Sequence, residues 1–179
     1  MRIDGDGWYL CPDDPKFAGE LARAFEEDPH LVVDWGVDKP PGEADARSML
    51  ADRAQRWAEG EGRHFAIVEA GTDAYLGGVN FHNIRLDHRR AEVGFWLAPW
   101  ARRRGVGSAA VAAACEWAFG HWQLKRIEMT TLPDNAGALA LAEKIGATRE
   151  GLLRSRNFER GNYVDIVMLA VLDGELRQP

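Results

Sequence analysis

The chain has few cysteines and no long apolar run. Two of its 179 residues are cysteine, Cys11 and Cys115, and their wide separation excludes a C-x-x-C redox or metal motif. We expect both to be free, buried thiols in a reducing compartment. No stretch reaches about 18 consecutive apolar residues, which argues against a membrane-spanning helix. Met1–Gly7 is polar and acidic, unlike a signal peptide, so we expect a cytoplasmic protein with no membrane partner.

Two further absences restrict the class of function. No group of His, Cys and Asp residues has the spacing of metal ligands, so we expect no metal cofactor. The formal net charge is −6, which argues against broad nucleic-acid binding because contacts to phosphates need a basic face. The dense basic runs are confined to His88–Arg90 and Arg102–Arg104. An acidic chain is compatible with a cationic or amine-bearing substrate.

The composition is typical of one soluble globular domain with a substantial core, at 46% hydrophobic and 28% charged residues. Residues 1–62 carry a short apolar run at Trp8–Cys11 and then two segments of helical period, at about 13–28 and 43–59. Leu31–Trp35 is ambiguous between loop and strand. From position 63 the period changes to that of strands, which we expect at His64–Glu69, Tyr75–His82 and Ala91–Leu97.

The stretch Glu92–Trp122 organises the rest of the chain. An apolar strand ends before Pro99, the arginines of 102–104 follow, and an alanine-rich helix begins near Gly105 and Gly107. The N–H groups of a helix's first turn have no intrahelical partner, and the helix dipole places partial positive charge there. Strand, glycine-bearing turn and helix N-terminus therefore predict a site for phosphate or pyrophosphate.

The remaining elements complete a mixed sheet. A strand at Arg126–Leu132 is expected to run parallel to the strand at 91–97, because a helix separates the two. Asn135 is placed to cap the next helix, which should close at Gly146. A hairpin with strands at Thr148–Phe158 and Tyr163–Leu172 would end the fold.

Six short motifs occur in order along these elements. They are Glu92-Val93-Gly94-Phe95-Trp96-Leu97-x-Pro99, Arg102-x-x-Gly105-x-Gly107, Asp134-Asn135, Glu143-Lys144-x-Gly146-Ala147, Arg149-Glu150-Gly151-x-x-Arg154 and Gly161-x-Tyr163-x-Asp165. Together they resemble the GNAT acyltransferase superfamily, in its RimJ/RimL-like branch. The resemblance implies an α/β fold with a mostly antiparallel central sheet, one splayed parallel pair of strands and flanking helices. It also implies a single domain over 1–179, with 63–172 as its core and 1–62 as a helical acceptor side.

The resemblance implies acetyl-CoA as the donor and a primary amine as the acceptor, on a protein N-terminus or a small molecule. The amine would attack directly in a ternary complex, and a homodimer is left open. Phe95 and Leu97 would pair with the pantetheine amides through their backbone, and Asn135 would lie near the pantetheine arm. The residues implied around the pyrophosphate are Arg102, Arg103, Arg104, Gly105, Val106, Gly107 and Ser108.

Acetyl transfer to an amine requires removal of a proton and stabilisation of the carbonyl oxygen as it gains charge. Glu92 is the first candidate for general base, because it begins the central strand and matches an acid of the branch. The alternative for Glu92 is a surface acid paired with Arg89 or Arg90. His82 is the second candidate, near the end of a strand that could face the acceptor. A backbone N–H on Ala91–Leu97 would bind the oxyanion.

One departure from the family concerns the proton for the leaving thiolate. Many GNAT enzymes place a tyrosine or serine on or just after the Asn-capped helix, where this chain has Ala136, Gly137 and Ala138. Thiolate can leave unaided near neutral pH, so activity is still expected. Two alternatives stay open: an enzyme that uses aminoacyl-tRNA or another acyl carrier, and a non-catalytic CoA-binding module. Asp165 is expected to make a hydrogen bond in the core.

Overall fold

A computed structural model describes residues 1–31, 39–159 and 161–179, without the side chain of Glu159. The segment left ambiguous between loop and strand lies outside the described residues from position 32 onward, as does Arg160 in the predicted hairpin turn. The helices with described bounds are α1 (Ala18–Glu27), α2 (Glu43–Ala58), α3 (Val106–His121) and α4 (Ala136–Lys144). The strands are β1 (Ile3–Asp4), β2 (Trp8–Pro12), β3 (His64–Glu69), β4 (Tyr75–Arg85), β5 (Arg90–Leu97), β6 (Arg126–Thr131), β7 (Thr148–Glu159) and β8 (Asn162–Leu172).

The strands form a mixed sheet in the order β1-β2-β3-β4-β5-β6-β8-β7. β5 and β6 are parallel, whereas β6 and β7 both pair antiparallel with β8. This arrangement confirms the predicted mixed sheet with a parallel pair that a helix connects. The parallel pairing joins Arg90–Glu92 to Arg126–Glu128, and β5 continues to Leu97 beyond these pairs.

The chain divides into two compact units, which are described separately. The first unit comprises Met1–Asn80 and Phe95–Val106. Its helix α1 follows a short 3-10 turn, in which Asp14 accepts a hydrogen bond from the Lys16 N–H at 2.8 Å. The apolar side of α1 is fully buried at Leu21, and α2 contributes Leu50 to the same core. The helical period read from the sequence therefore marks the faces that pack.

Two glycines shape β4 in the first unit. The pairing of β3 with β4 shifts register between Ile67, which lies opposite Gly77, and Val68, which lies opposite Tyr75. A Cβ at Gly77 would lie 2.3 Å from the carbonyl oxygen of Trp96, and Gly77 has φ +149°. Glycine is therefore required here because the backbones of β4 and β5 approach closely.

The second unit comprises Phe81–Gly94 and Gly107–Pro179. Successive strand residues point to opposite faces of the sheet. Phe81 packs edge-on against Trp122, with ring centroids 5.3 Å apart, so His82 lies on the other face. Helix α3 buries Val111 and Cys115 completely. The residues of β5, β6 and β8 that are buried on the Phe81 face are Ala91, Val93, Ile127, Met129, Val167, Leu169 and Val171.

β4 is longer than the sequence predicts. The expected strand ends at His82 and a polar connection follows, whereas β4 extends to Arg85 and a 3-10 turn occupies Leu86–His88. Polar residues continue the strand because, at the C-terminal end of β4, one face of the sheet carries polar side chains. Alternation of polar and apolar residues is compatible with a half-exposed strand.

We expect Gly77→Ala to destabilise the fold by about 2–3 kcal/mol, because the new methyl group would collide with backbone atoms. Gly120→Ala is the matched control, since a Cβ at this helical position meets nothing within 4 Å. That control should be stabilising by about 0.5–1 kcal/mol. Urea unfolding of both variants measures the effects, and equal stabilities would contradict the close approach of the two strands.

Candidate functional site

A cavity of about 590 Å³ opens on the polar face of the second unit's sheet. Every strand from β4 to β8 contributes side chains to it. Along β5, β6 and β8 side chains alternate, so the positions that face the cavity are offset by one from those that fill the core, whereas β4 and β7 contribute consecutive residues. The lining residues are His82, Asn83, Ile84, Arg85, Arg90, Glu92, Glu128, Thr130, Arg156, Asn157, Ile166 and Met168.

Glu92 lies in this cavity and contacts three polar side chains. His82 Nε2 lies 3.4 Å from Glu92 Oε1, and Thr130 Oγ1 donates to the same oxygen at 2.5 Å. Asn83 Nδ2 donates to Oε2 at 2.9 Å. The contact with His82 contributes most to lowering the pKa of Glu92 to about 2, with help from Thr130 and Asn83 and against the effect of burial. Glu92 is therefore held as a carboxylate.

This electrostatic setting decides what Glu92 can do chemically. A general base works best when its pKa lies near the operating pH, so a carboxylate with a pKa of about 2 is a weak proton acceptor. The carboxylate is well placed to orient an imidazole and to stabilise its protonated form. The side chain of His82 is 44% exposed and that of Glu92 is 14% exposed, so the imidazole is the more accessible group.

The sequence named His82 and Glu92 as separate candidates, and the pairing of β4 with β5 brings them together. Thr130 and Asn83 were missed. The parallel register pairs Glu92 with Glu128, so Thr130, two residues further along β6, falls on the same face. A register drawn from the predicted parallel pair would have indicated Thr130.

The alternative partners proposed for Glu92 are engaged elsewhere. Arg90 Nη1 donates to Glu128 Oε2 at 2.9 Å, and Arg89 Nε donates to the carbonyl of Gln123 at 2.7 Å. Glu92 is thus not a surface acid paired with either arginine.

The arginine-bearing turn lies in the first unit, and two of its three arginines form ion pairs. Arg102 donates to the carbonyl of Leu97 at 3.1 Å and forms an ion pair with Asp28. Arg104 forms an ion pair with Glu69. Arg103 has φ +58° and no ion-pair partner among the described residues. Of the three cations, Arg103 is the one available to an anionic ligand without exchanging partners.

The backbone around this turn matches the predicted start of a helix. Gly105 has φ +82°, a conformation that favours glycine, and α3 begins at the next residue, Val106. Gly107 and Ser108 stand in the first turn of α3, and Ser108 is buried. Phe95 and Leu97 are half-buried on β5. The first-turn N–H groups of α3 follow directly on the glycine turn, as an anion site requires.

Asn135 caps α4, as the sequence predicted. Its side-chain oxygen accepts a hydrogen bond from the N–H of Ala138 at 3.0 Å. Asp165 accepts a hydrogen bond from the Ser155 N–H at 2.8 Å, at an exposed place and not in the core as expected. Cys115 is fully buried, and burial raises the pKa of its thiol, so it is unsuited to act as a nucleophile.

Within 1–31, 39–159 and 161–179, no group of three or more His, Cys, Asp or Glu side chains is placed to hold a metal ion. Over the same part of the chain, none of the helices combines the length and the apolar character needed to span a membrane.

Comparison with known proteins identifies the family. Residues 10–148 match the family described as "Acetyltransferase (GNAT) domain". The chain is 28% identical to the uncharacterized N-acetyltransferase p20 of Bacillus licheniformis, over 84% of this chain and 85% of the relative. It is 25% identical to the ribosomal-protein-serine acetyltransferase of Escherichia coli strain K12, over 74% of each chain.

A solved structure extends the comparison to the fold. RimJ of Mycobacterium smegmatis, determined in complex with CoA-disulfide, is 26% identical with a TM-score of 0.79, over 96% of this chain and 84% of RimJ. The fold and the matched motifs together define an acyl-CoA N-acyltransferase. The chain belongs to the GNAT acetyltransferase family, and its resemblance to the RimJ/RimL-like branch is confirmed. It is an acetyltransferase that uses acetyl-CoA as its co-substrate.

The lowered pKa of Glu92 makes a prediction about acid stability. The folded-state pKa is about 2 and the ordinary value is 4.5, so the stabilisation is present above pH 4.5 and is lost as pH falls toward 2. We expect Glu92→Gln to lack this stabilisation. From pH 4.5 to pH 2, the free energy of unfolding of wild type should therefore fall by roughly 2–3 kcal/mol more than that of the variant. Glu26→Gln, at an exposed position on α1, is the control. Chemical unfolding at several pH values measures the difference, and parallel curves for wild type and Glu92→Gln would contradict it.

Proposed function

We propose that the chain transfers an acetyl group from acetyl-CoA to a primary amine by direct attack, with both substrates bound at once. The observation that supports this best is the pair formed by His82 and Glu92 in an open cavity. A carboxylate beside an imidazole is a suitable arrangement for taking a proton from an amine. Glu92 lies on β5, the strand whose sequence also carries the donor motif.

The proton transfer is assigned to His82, with Glu92 as its positioning residue. His82 Nε2 is turned to the Glu92 carboxylate, so Nδ1 is the nitrogen that would accept the proton of the attacking amine. The amine nitrogen then forms its bond to the carbonyl carbon, and the bond from that carbon to sulfur breaks. Glu92 stabilises the imidazolium that results.

The other charges of the reaction need little from side chains. Backbone N–H groups of β5 are suited to stabilising the carbonyl oxygen. No side chain that could donate a proton stands at Ala136, Gly137 or Ala138. We therefore propose that the sulfur leaves as thiolate. The proton held by His82 then passes to the thiolate or to water. This sequence of steps balances without a protein nucleophile.

Donor binding is assigned to the arginine-glycine turn and the elements around it. Arg103 and the first turn of α3 would contact the pyrophosphate, together with the rest of 102–108. The backbone at Phe95 and Leu97 would pair with the pantetheine amides, and Asn135 would lie near that arm. We propose a single domain over 1–179, with the acceptor in the cavity that residues between 82 and 168 line. The acceptor would be a protein N-terminus or a small amine.

Acetyl-CoA affinity tests the donor assignment. Arg103→Ala should weaken binding about tenfold with no change in thermal stability, since it removes a cation that makes no ion pair within the described part of the chain. Arg102→Ala should lower thermal stability because it breaks the contacts with Asp28 and the Leu97 carbonyl. Arg63→Ala, at an exposed position, is the control, and calorimetry gives the dissociation constants. No acetyl-CoA binding by wild type would refute the proposed function.

Kinetics test the roles of the two candidate acid–base residues. His82→Ala should lower kcat by about 10²–10⁴-fold, because it removes the group that accepts the proton. Glu92→Gln should lower kcat less, because it removes the orienting carboxylate and leaves the imidazole. His88→Ala is the control, since His88 contacts Asp87 and does not line the cavity.

A thiol-release assay across peptides and amines provides the measurement. If the kcat of Glu92→Gln falls as far as that of His82→Ala, the assignment of the base to His82 with Glu92 as positioning residue is wrong. If acetyl-CoA binds and no amine is acetylated, the chain is a CoA-binding module instead of an enzyme.

A further inference from the structure

The charges that line the cavity are mostly arranged in pairs. Arg85 donates to both carboxylate oxygens of Asp87, at 3.1 and 2.8 Å. Arg90 donates to Glu128 at 2.9 Å. These arginines are therefore neutralised by acids of the protein itself, and neither is left to recognise a ligand without exchanging partners.

Arg156 is the exception. It lines the cavity and is exposed, and among the described residues it has no hydrogen bond or ion pair. A guanidinium presents a planar fork of donors that matches the two oxygens of a carboxylate or phosphate. The cavity thus contains one arginine whose guanidinium donors bind no group within the described part of the chain.

A β-bulge sets the position of Arg156. β7 pairs with β8 at Leu153 opposite Ile166 and again at Asn157 opposite Val164, so three residues of β7 stand opposite one residue of β8. Ser155 has φ +51°, and its N–H donates to Asp165 Oδ1 at 2.8 Å. Bulges commonly redirect a side chain next to a binding site. Asp165 therefore holds the backbone that carries Arg156.

The cavity is consequently bipolar. The carboxylate of Glu92 and the imidazole of His82 project from β5 and β4, whereas the cation of Arg156 projects from β7. In the order β5-β6-β8-β7, three interstrand spacings separate β5 from β7, about 14 Å between backbones. The complementary ligand carries positive charge at one end and negative charge at the other, with several bonds between them.

We propose that the acceptor is a primary amine that also bears a carboxylate, with the amine at His82 and Glu92 and the carboxylate on Arg156. This inference rests on the proposed function, because it assumes that the cavity binds the acetyl acceptor. A cavity of about 590 Å³ is of the size that small ligands occupy. A polyamine fits poorly, since its second ammonium group would meet the Arg156 cation. The same chemistry could come from a free amino-carboxylate or from an acidic side chain close to a peptide N-terminus.

Matched acceptors test the proposal with the intact chain. Each set contains an amino-carboxylate, its neutral amide and a diamine of equal length, and a parallel set contains short peptides with Glu or Gln near the N-terminus. Wild type should prefer the carboxylate over the amide by about tenfold or more in kcat/KM, through KM. The set with the larger preference identifies the source of the carboxylate.

Substitutions then assign the preference to Arg156. Arg156→Gln should abolish this preference by lowering kcat/KM for the carboxylate toward that for the neutral amide, and Arg156→Glu should favour the diamine. Arg154→Gln is the matched control, since Arg154 is an exposed arginine on the same strand that does not line the cavity. Asp165→Ala should lose part of the preference, and Asp165→Asn should restore it because the amide oxygen can still accept from Ser155.

The outcomes separate this inference from the proposed function. If wild type acetylates amines with no preference for the carboxylate, or if Arg156→Gln keeps that preference, the inference is wrong and the acetyltransferase proposal stands. If no amine is acetylated although acetyl-CoA binds, the proposed function fails and the inference fails with it. Thermal unfolding and acetyl-CoA affinity of each variant establish that it is folded and donor-competent.

Discussion

The parallel register between β5 and β6 is the constraint on which the second unit's site depends. It pairs Ala91 with Ile127 and Glu92 with Glu128. Since side chains alternate across a strand, the register assigns the first pair to the core and the second to the polar face. A slip of one residue would bury Glu92 and expose Ala91. Burial of the apolar face therefore fixes the position of the polar one.

The chemistry of the polar face depends on the hydrogen bonds and ion pairs that its charged side chains make. Three donors hold Glu92 as a carboxylate and lower its pKa to about 2. The sequence indicates Glu92 as a candidate base, but in the structure its carboxylate contacts His82, whose side chain is more exposed. Arg156 enters the same cavity through a bulge in β7. In regular strand pairing only alternate residues of β7 would face the cavity. The bulge in β7 therefore lets an additional side chain face it.

In the first unit, carboxylates of the protein compete with an incoming phosphate for the arginines of the turn. The sequence places three arginines beside a glycine turn and a helix start, which favours phosphate binding. The fold gives two of them acidic partners, Asp28 and Glu69. An incoming phosphate would have to replace these carboxylates or rely on Arg103. The Arg104–Glu69 pair is the more exposed of the two and would cost less to exchange, whereas loss of Arg102 would leave the buried carboxylate of Asp28 without its cation.

The sequence by itself determined the order of strands and helices, the glycine turn, the cap at Asn135 and the GNAT family, because periodicity, turn chemistry and motifs are local properties. It also indicated the parallel pair, since a helix must connect such strands. Only the tertiary structure decided which side chains meet. Arg102 and Arg104 find acids 74 and 35 residues away, and Glu92 finds Thr130 38 residues away. Contacts at that separation depend on strand register and on bulges such as the one that positions Arg156, and no local pattern specifies these.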